Sequence, residues 1–158
     1  MSGLITVWCR GEGSITRREL AAELEDAGFL DDPEFDPPPD SDASADPEWA
    51  TMEVRYDPER RPILLRAKAV TDDYAHTIVE EMASQFGSAE LESAGVTEHV
   101  LAGRLVVDLE IDTGGLTDDG WEACDHLEVA IAQRCDGLVY VVREGIYDAD
   151  LQPILKIT

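Results

Sequence analysis

The residues best suited to chemistry form two histidine–glutamate pairs. His76 and Glu80 stand four positions apart, as do Glu122 and His126, and residues at that spacing share one face of a helix. If the two helices faced each other, the four side chains could hold a divalent ion. Both pairs fall on the polar side of their predicted helices, where paired surface charges are the usual explanation. We therefore predict no metal site, and we keep a metal-binding protein or hydrolase as an alternative.

A second feature with catalytic potential is the triplet Asp112-Thr113-Gly114, which follows an apolar strand. Aspartic proteases use such a triplet, but their chemistry needs two aspartates that share a proton. Here the triplet leads directly into a capped helix, and the rest of the protease pattern is missing. A glycine turn before a helix explains it better, so we predict no catalytic residue and no cofactor.

The three cysteines are Cys9, Cys124 and Cys135. An odd number at wide spacings is not typical of a disulfide framework. Cys124 and Cys135 are about three helical turns apart, so both can lie on one buried face of a helix. None has an evident basic neighbour that would activate a thiolate. We expect three small buried thiols.

The net charge of −23, from 35 acidic and 12 basic residues, limits the classes of partner. Such a charge repels nucleic acids and anionic lipids and attracts basic proteins. We therefore predict no direct nucleic-acid or membrane partner. The same composition also fits a stand-alone housekeeping domain of a saline cytoplasm, and this third alternative stays open.

Acidic residues are concentrated in residues 31–48, DDPEFDPPPDSDASADPE. This proline- and aspartate-rich composition cannot pack a core, so it predicts a loop or mobile insertion. A solvated linker is the simpler interpretation. The alternative is an acidic arm that carries Phe35 and Trp49 as anchors for a partner.

Hydrophobic periodicity and turn residues predict the elements that must position these side chains. The predicted strands are residues 4–9, 51–56, 63–67, 105–111, 138–142 and 152–157. Three helices are predicted to start at Thr16, at Thr71 or Asp72, and at Thr117, and to end at Gly28, Gly87 and Asp136. The buried face of the third helix includes Trp121, Cys124, and Leu127 or Glu128.

The order of these elements predicts a single α+β domain over residues 1–158. The first six elements match a ferredoxin-like β-α-β-β-α-β arrangement, and a further α-β, with an optional last strand, extends it. We expect one mixed β-sheet with helices mainly on one face. No apolar run has the length of a membrane helix, and the N-terminus resembles a strand more than a signal peptide, so we predict a cytoplasmic protein.

Residues 115–148, GLTDDGWEACDHLEVAIAQRCDGLVYVVREGIYD, resemble a pattern in small acidic bacterial α+β domains. These domains combine an acidic-capped helix carrying an early tryptophan, a "DGLV" strand and a turn of glycine, an aromatic residue and aspartate. Such families are similar to immunity proteins of bacterial toxin systems. The resemblance implies a non-enzymatic inhibitor that neutralises a basic partner protein, such as a toxin domain, by occupying its basic cleft.

Under this implied function, acids and aromatic residues outside the predicted core are the candidate contacts. Long-range charge would steer the partner, and a few aromatic side chains would hold it. The candidates are Asp31, Asp32, Glu34, Phe35, Asp36, Trp49, Tyr147, Asp148 and Asp150. The sequence leaves the oligomeric state open.

Overall fold

The computed structural model describes residues 2–157. Its strands are β1 (Ser2–Cys9), β2 (Glu34–Asp36), β3 (Thr51–Arg55), β4 (Ile63–Ala69), β5 (Leu105–Asp112), β6 (Gly137–Val141), β7 (Gly145–Tyr147) and β8 (Pro153–Lys156). Its α-helices are α1 (Arg17–Ala27), α2 (Asp72–Phe86), α3 (Ser88–Ser93), α4 (Val96–Leu101) and α5 (Asp118–Cys135). Within residues 2–157, no helix is both long and apolar enough to cross a membrane.

Helix starts follow the predicted capping residues. The hydroxyl of Thr16 accepts from the backbone N–H of Glu19, and the Glu19 carboxylate accepts from the N–H of Thr16, which completes a capping box. Thr71 and Thr117 cap α2 and α5 in the same way, through their side-chain oxygens. Local sequence therefore defines where the three long helices begin.

The strands form one sheet in the order β2-β3-β4-β5-β1-β6-β7-β8, which confirms the α+β class. All pairings between neighbouring strands are antiparallel, so the predicted mixed sheet is wrong. The reason is the position of β1. Strands β5 and β6, which α5 connects, are parallel to each other, but they are not neighbours. Strand β1 lies between them and runs antiparallel to both. The ferredoxin-like start is not confirmed.

Helices cover both faces of the sheet, which corrects the prediction that they lie mainly on one. Ile5 and Val7 of β1 point towards a core shared with α1 and α5. Trp8 points to the opposite face, into a core shared with α2, α3 and α4. The central strands are apolar on both sides, and a strand of that kind needs cover on both of its faces.

A disulfide joins Cys9, at the end of β1, to Cys135, the last residue of α5. The two Cα atoms are 5.2 Å apart although 126 positions separate the residues in sequence. The expectation of three free thiols is therefore wrong for this pair and holds for Cys124, which is buried and unbridged. Sequence spacing gave no indication of the bridge because topology alone brings these two ends together.

The burial of the tryptophan side chains also differs from the prediction. Trp8 is fully buried, as expected, and its indole N–H donates to the Thr6 hydroxyl at 3.0 Å. The sequence predicts Trp121 on the buried face of the third helix, but 40% of its surface is exposed. It lies in the first turn of α5, where Gly120 turns towards the core and packs close to Tyr56.

Candidate partner-binding face

Helix α5 carries the best-defined polar site in the described structure. Its buried side packs Cys124, Leu127 and Ile131 against the sheet. Glu128 lies on the same buried side, one position after Leu127, and is only 2% exposed. A carboxyl group is thereby placed at the boundary between the helix and the sheet, an environment that charged side chains rarely occupy without a partner.

Glu128 faces a cleft of about 240 Å³ between α5 and the end of the sheet. We call this the α5–β7 cleft, and its lining residues are Asp125, Glu128, Val139, Val141, Glu144, Tyr147 and Leu151. One part of the lining is apolar, from β6 and the β7–β8 turn. The other part has three carboxyl groups, from α5 and the β6–β7 turn.

The carboxyl group of Glu128 is held in its neutral form at physiological pH. Burial is the main cause that raises its pKa to about 9, and the nearby charge of Asp125 adds to it. The carboxyl group of Asp125 also favours the protonated form of Glu128, and Glu144 contributes a smaller repulsion. Each effect disfavours a further negative charge in the cleft.

Tyr147 forms the aromatic wall of the cleft. Its hydroxyl donates to Oε2 of Glu144 at 3.2 Å, and burial, followed by the charge of Glu144, raises the pKa of its phenol. The ammonium group of Lys156 lies 5.9 Å from the centre of the ring. The ring is therefore within cation–π distance of a positive charge from the neighbouring strand.

The turn after β7 is fixed to α5. Oδ1 of Asp148 accepts from the backbone N–H groups of Asp150 and Gln152, each at 2.9 Å. Oδ1 of Asp150 accepts from Nε2 of Gln133 on α5, also at 2.9 Å. Three of the predicted contacts, Tyr147, Asp148 and Asp150, are thus joined into one surface with the helix.

We call this surface the acidic face: Asp125 and Glu144, which line the α5–β7 cleft, with Glu122 of α5 and with Asp148 and Asp150 of the turn after β7. It continues into a hollow of about 370 Å³ that includes Glu23 of α1 and His126 of α5. The His126 ring stacks on Phe29, with centroids 5.2 Å apart. The ion pairs of the described residues lie elsewhere and include none of these five acids. The negative charge of this face therefore has no paired cation among residues 2–157.

The other predicted contacts lie at the far edge of the sheet. Asp31, Asp32, Glu34 and Asp36 are exposed, as expected for a solvated acidic segment. Phe35, however, points into the core and is only 9% exposed. It is therefore not presented to a partner.

Residues 31–48 are also more ordered than a linker. Glu34–Asp36 pairs with β3, and Asp42–Ala45 forms a 3-10 turn. The guanidinium of Arg17 donates to the carbonyls of Thr51 and Ala43, and that of Arg18 donates to those of Pro39 and Ser41. Two arginines of α1 thus hold the segment, a contact that a composition argument could not anticipate.

Trp49 is half-buried, and its indole N–H donates to the carbonyl of Ile15 at 2.9 Å. It lines a second cleft, of about 540 Å³, together with the Cys9–Cys135 disulfide. Its hydrogen bond and its packing against the core give it a structural role.

The two groups of predicted contacts do not form one surface. Strand β2 is first in the sheet order and β7 is seventh, so they are six strand spacings, or roughly 29 Å, apart along the sheet. The acids around β2 and those around β7 would therefore meet different parts of a partner.

The histidine–glutamate pairs do not meet either. His76 and Glu80 lie on α2, whereas Glu122 and His126 lie on α5, and the two helices pack on opposite faces of the sheet. No group of three or more metal-binding side chains occurs among residues 2–157. The four-residue metal site considered from the sequence is therefore ruled out.

Sequence reasoning missed the acids that complete the site, namely Asp125, Glu128 and Glu144. A signal was present for Glu128, because it follows Leu127 on the predicted buried face of the third helix. A glutamate at such a position indicates either a buried partner or a functional group. Asp125 and Glu144 carried no comparable signal, since their proximity depends on how α5 crosses the sheet.

Comparison with protein-family models, with curated proteins and with solved structures found no match to this chain.

Proposed function

We propose that this protein is a non-enzymatic binding protein of the immunity or inhibitor type, which neutralises a basic partner protein through its acidic face. The supporting observation is the lack of charge compensation there: the five acids of the acidic face have no ion-pair partner among residues 2–157. Unpaired like charges repel one another, and a cationic partner would relieve that repulsion.

The long-range charge of the molecule supports the same function. A net charge of −23 accelerates encounter with a basic protein and hinders approach to nucleic acids. A toxin that attacks nucleic acids needs a basic cleft, and an acidic surface can occupy that cleft in place of the substrate. The proposal therefore favours a partner protein with a strongly positive surface.

Aromatic anchors for such a complex are present at the acidic face. Trp121 is 40% exposed and lies one helical turn before Asp125 on α5. Tyr147 borders the cleft. Tryptophan and tyrosine are enriched among the residues that dominate binding energy at interfaces. Charge would bring the partner in, and these two side chains would hold it.

The cytoplasmic location predicted from the sequence is part of this proposal. The Cys9–Cys135 disulfide bears on it, because such bridges persist mainly in oxidising compartments. Fractionation of native cells with alkylation of thiols at lysis tests the location. We expect the protein in the cytoplasmic fraction, with Cys124 alkylated on denaturation and Cys9 and Cys135 still joined. Recovery from an exported fraction would contradict it.

Capture from native lysate with matched baits tests the function. The test variant carries Glu122→Gln, Glu144→Gln and Asp150→Asn on the acidic face. The control carries Glu90→Gln, Glu92→Gln and Glu98→Gln on α3 and α4, which removes the same charge from the opposite side of the sheet.

We expect one stoichiometric basic protein to bind the wild type and the control, to be released by high salt, and to be lost from the acidic-face variant. Equal capture by both variants would show that only net charge matters and would contradict a defined site. Capture of no partner at either salt level would contradict the proposed function.

A further inference from the structure

The α5–β7 cleft combines two surfaces that suit different parts of one ligand. Val139, Val141 and Leu151 supply apolar contact, while Glu128 lies at the buried polar part with Asp125 beside it. Burial against the first surface would stabilise an extended aliphatic chain, and charge-assisted hydrogen bonds to the second would stabilise a positively charged group. The side chains of lysine and arginine have this two-part character.

Glu128 is the observation that distinguishes this cleft from an ordinary cluster of surface acids. Its side chain is 98% buried, as its residual exposure of 2% implies, and it borders the cleft. Its raised pKa reflects burial first and then Asp125, another acid of the same cleft. No cationic group and no N–H among residues 2–157 is directed at it. Folding thus places a buried carboxyl group beside two other acids, Asp125 and Glu144, and a buried acid at a cleft is a candidate for a functional group.

Tyr147 gives an independent indication of the ligand's charge. Lys156 already places its ammonium group 5.9 Å from the ring centre, so the environment of the ring accommodates a cation. The phenol hydroxyl donates to Glu144, which adds negative charge on the side of the cleft. The faces of aromatic rings attract alkylammonium groups.

We propose that the α5–β7 cleft receives a single lysine or arginine side chain from the basic partner, with the aliphatic stem against β6 and the charged head at Glu128. This inference rests on the proposed function and specifies where the partner is recognised. The acidic face outside the cleft attracts the partner, whereas the cleft itself binds one side chain of that partner.

Binding of the cation is coupled to release of a proton. Glu128 must ionise to pair with a positive head group, and burial together with Asp125 opposes that ionisation in the free protein. The titratable groups facing it are Cys124 and Asp125 on α5, with Glu144 and Tyr147 from the opposite wall. The cation replaces the proton, so affinity increases as the pH rises from neutral towards 9.

Titration of the full-length protein with butylammonium chloride tests this site directly. Butylammonium reproduces the stem and head of lysine without the rest of a partner. Methyl NMR signals of Val139, Val141 and Leu151 report the apolar wall. Calorimetry in two buffers of different ionisation enthalpy reports the released proton.

We expect the shifts to concentrate on these three residues and the calorimetry to show proton release. Glu128→Gln, which keeps the size of the side chain, should weaken binding by at least about tenfold. Glu98→Gln on α4 is the same substitution at an exposed glutamate on the other side of the sheet and should change binding by less than about threefold. Equal effects of the two substitutions, or shifts spread over the whole surface, would overturn the inference.

A lysine-rich peptide and spermidine distinguish a protein side chain from a free organic cation. We expect the peptide to give the same Glu128-dependent shifts as butylammonium. Binding of spermidine alone in the cleft would overturn the assignment to a partner protein.

Binding of the captured partner to the Glu128→Gln variant distinguishes failure of this inference from failure of the proposed function. We expect Glu128→Gln to weaken the partner's binding to the acidic face by about tenfold or more. A partner that binds the wild type and Glu128→Gln equally well would overturn the cleft assignment and leave the binding function intact. Absence of any basic partner, with butylammonium still bound in the cleft, would overturn the proposed function and the assignment of the cleft to a partner side chain.

Discussion

Glu128 and Asp125 stand three positions apart on α5 and both line the α5–β7 cleft, where burial and then the charge of Asp125 raise the pKa of Glu128. Because both groups are acids, the pair is stable when one of them carries a proton, and the buried Glu128 is the one that keeps it. This relationship gives the molecule a titratable group inside its fold, with consequences for stability as well as for binding.

Stability should decrease with pH because of Glu128. Its folded-state pKa of about 9 lies above the ordinary glutamate pKa of 4.5, so its contribution to stability is fully present below pH 4.5 and is lost as pH rises through 9. The slope is at most about 1.4 kcal/mol per pH unit in this window. Glu128→Gln should remove this slope, so the variant should become progressively more stable than the wild type between pH 5 and pH 9. Urea unfolding at several pH values measures this change in relative stability. A difference in the free energy of unfolding that is the same at every pH would contradict the prediction.

The Cys9–Cys135 bridge should be a major source of stability. It closes a loop across 126 positions, and loop-closure entropy predicts a contribution of about 5 kcal/mol. Reductant should lower the free energy of unfolding of the wild type by about that amount and leave the Cys9→Ser, Cys135→Ser double variant unchanged. Thiol titration of the unreduced, denatured protein should find only Cys124 free. Three free thiols would show that the bridge is absent.

Arg17 and Arg18 should control the order of the acidic segment at residues 37–46. Their guanidinium groups bind four backbone carbonyls in and beside it, and hydrogen bonds from charged groups are stronger than neutral ones. Arg17→Ala with Arg18→Ala should accelerate amide exchange in this segment by about tenfold while leaving α5 unaffected. Arg61→Ala, at an exposed arginine without a hydrogen bond among residues 2–157, is the control. Unchanged exchange would mean that β2 pairing alone orders the segment.

Trp121 should be an anchor of the complex. It is 40% exposed beside the acidic face, so Trp121→Ala should weaken the captured partner's affinity by about tenfold or more. Leu101 on α4 is 42% exposed on the other side of the sheet, and Leu101→Ala should change the affinity by less than about twofold. Calorimetric titration compares the two variants. Equal losses would place the interface elsewhere.

Local signals in the sequence were sufficient for most elements. The capping residues Thr16 and Thr117 and the alternation of residues 105–111 identify α1, α5 and β5, because capping and pleating depend on neighbours in sequence. The short strands β2 and β7 were missed, since three residues are too few for a periodic pattern.

Long-range features could not be predicted in the same way. Insertion of β1 between β5 and β6 makes the neighbouring strands antiparallel and brings Cys9 to Cys135. The same distinction applies to the candidate site. Tyr147, Asp148 and Asp150 were predicted from their position in a polar turn. Asp125 and Glu144 become neighbours only in the folded chain, so the sequence did not indicate them.

The most direct test of the account is the affinity of the captured basic partner for the wild type and for the Glu122→Gln, Glu144→Gln, Asp150→Asn variant, measured by titration calorimetry at about 0.05 M and about 0.5 M salt. The account predicts that salt weakens wild-type binding by at least about tenfold and that the variant binds more weakly and with a smaller dependence on salt. Binding that is insensitive to salt, or equally strong for both proteins, would contradict recognition through the acidic face.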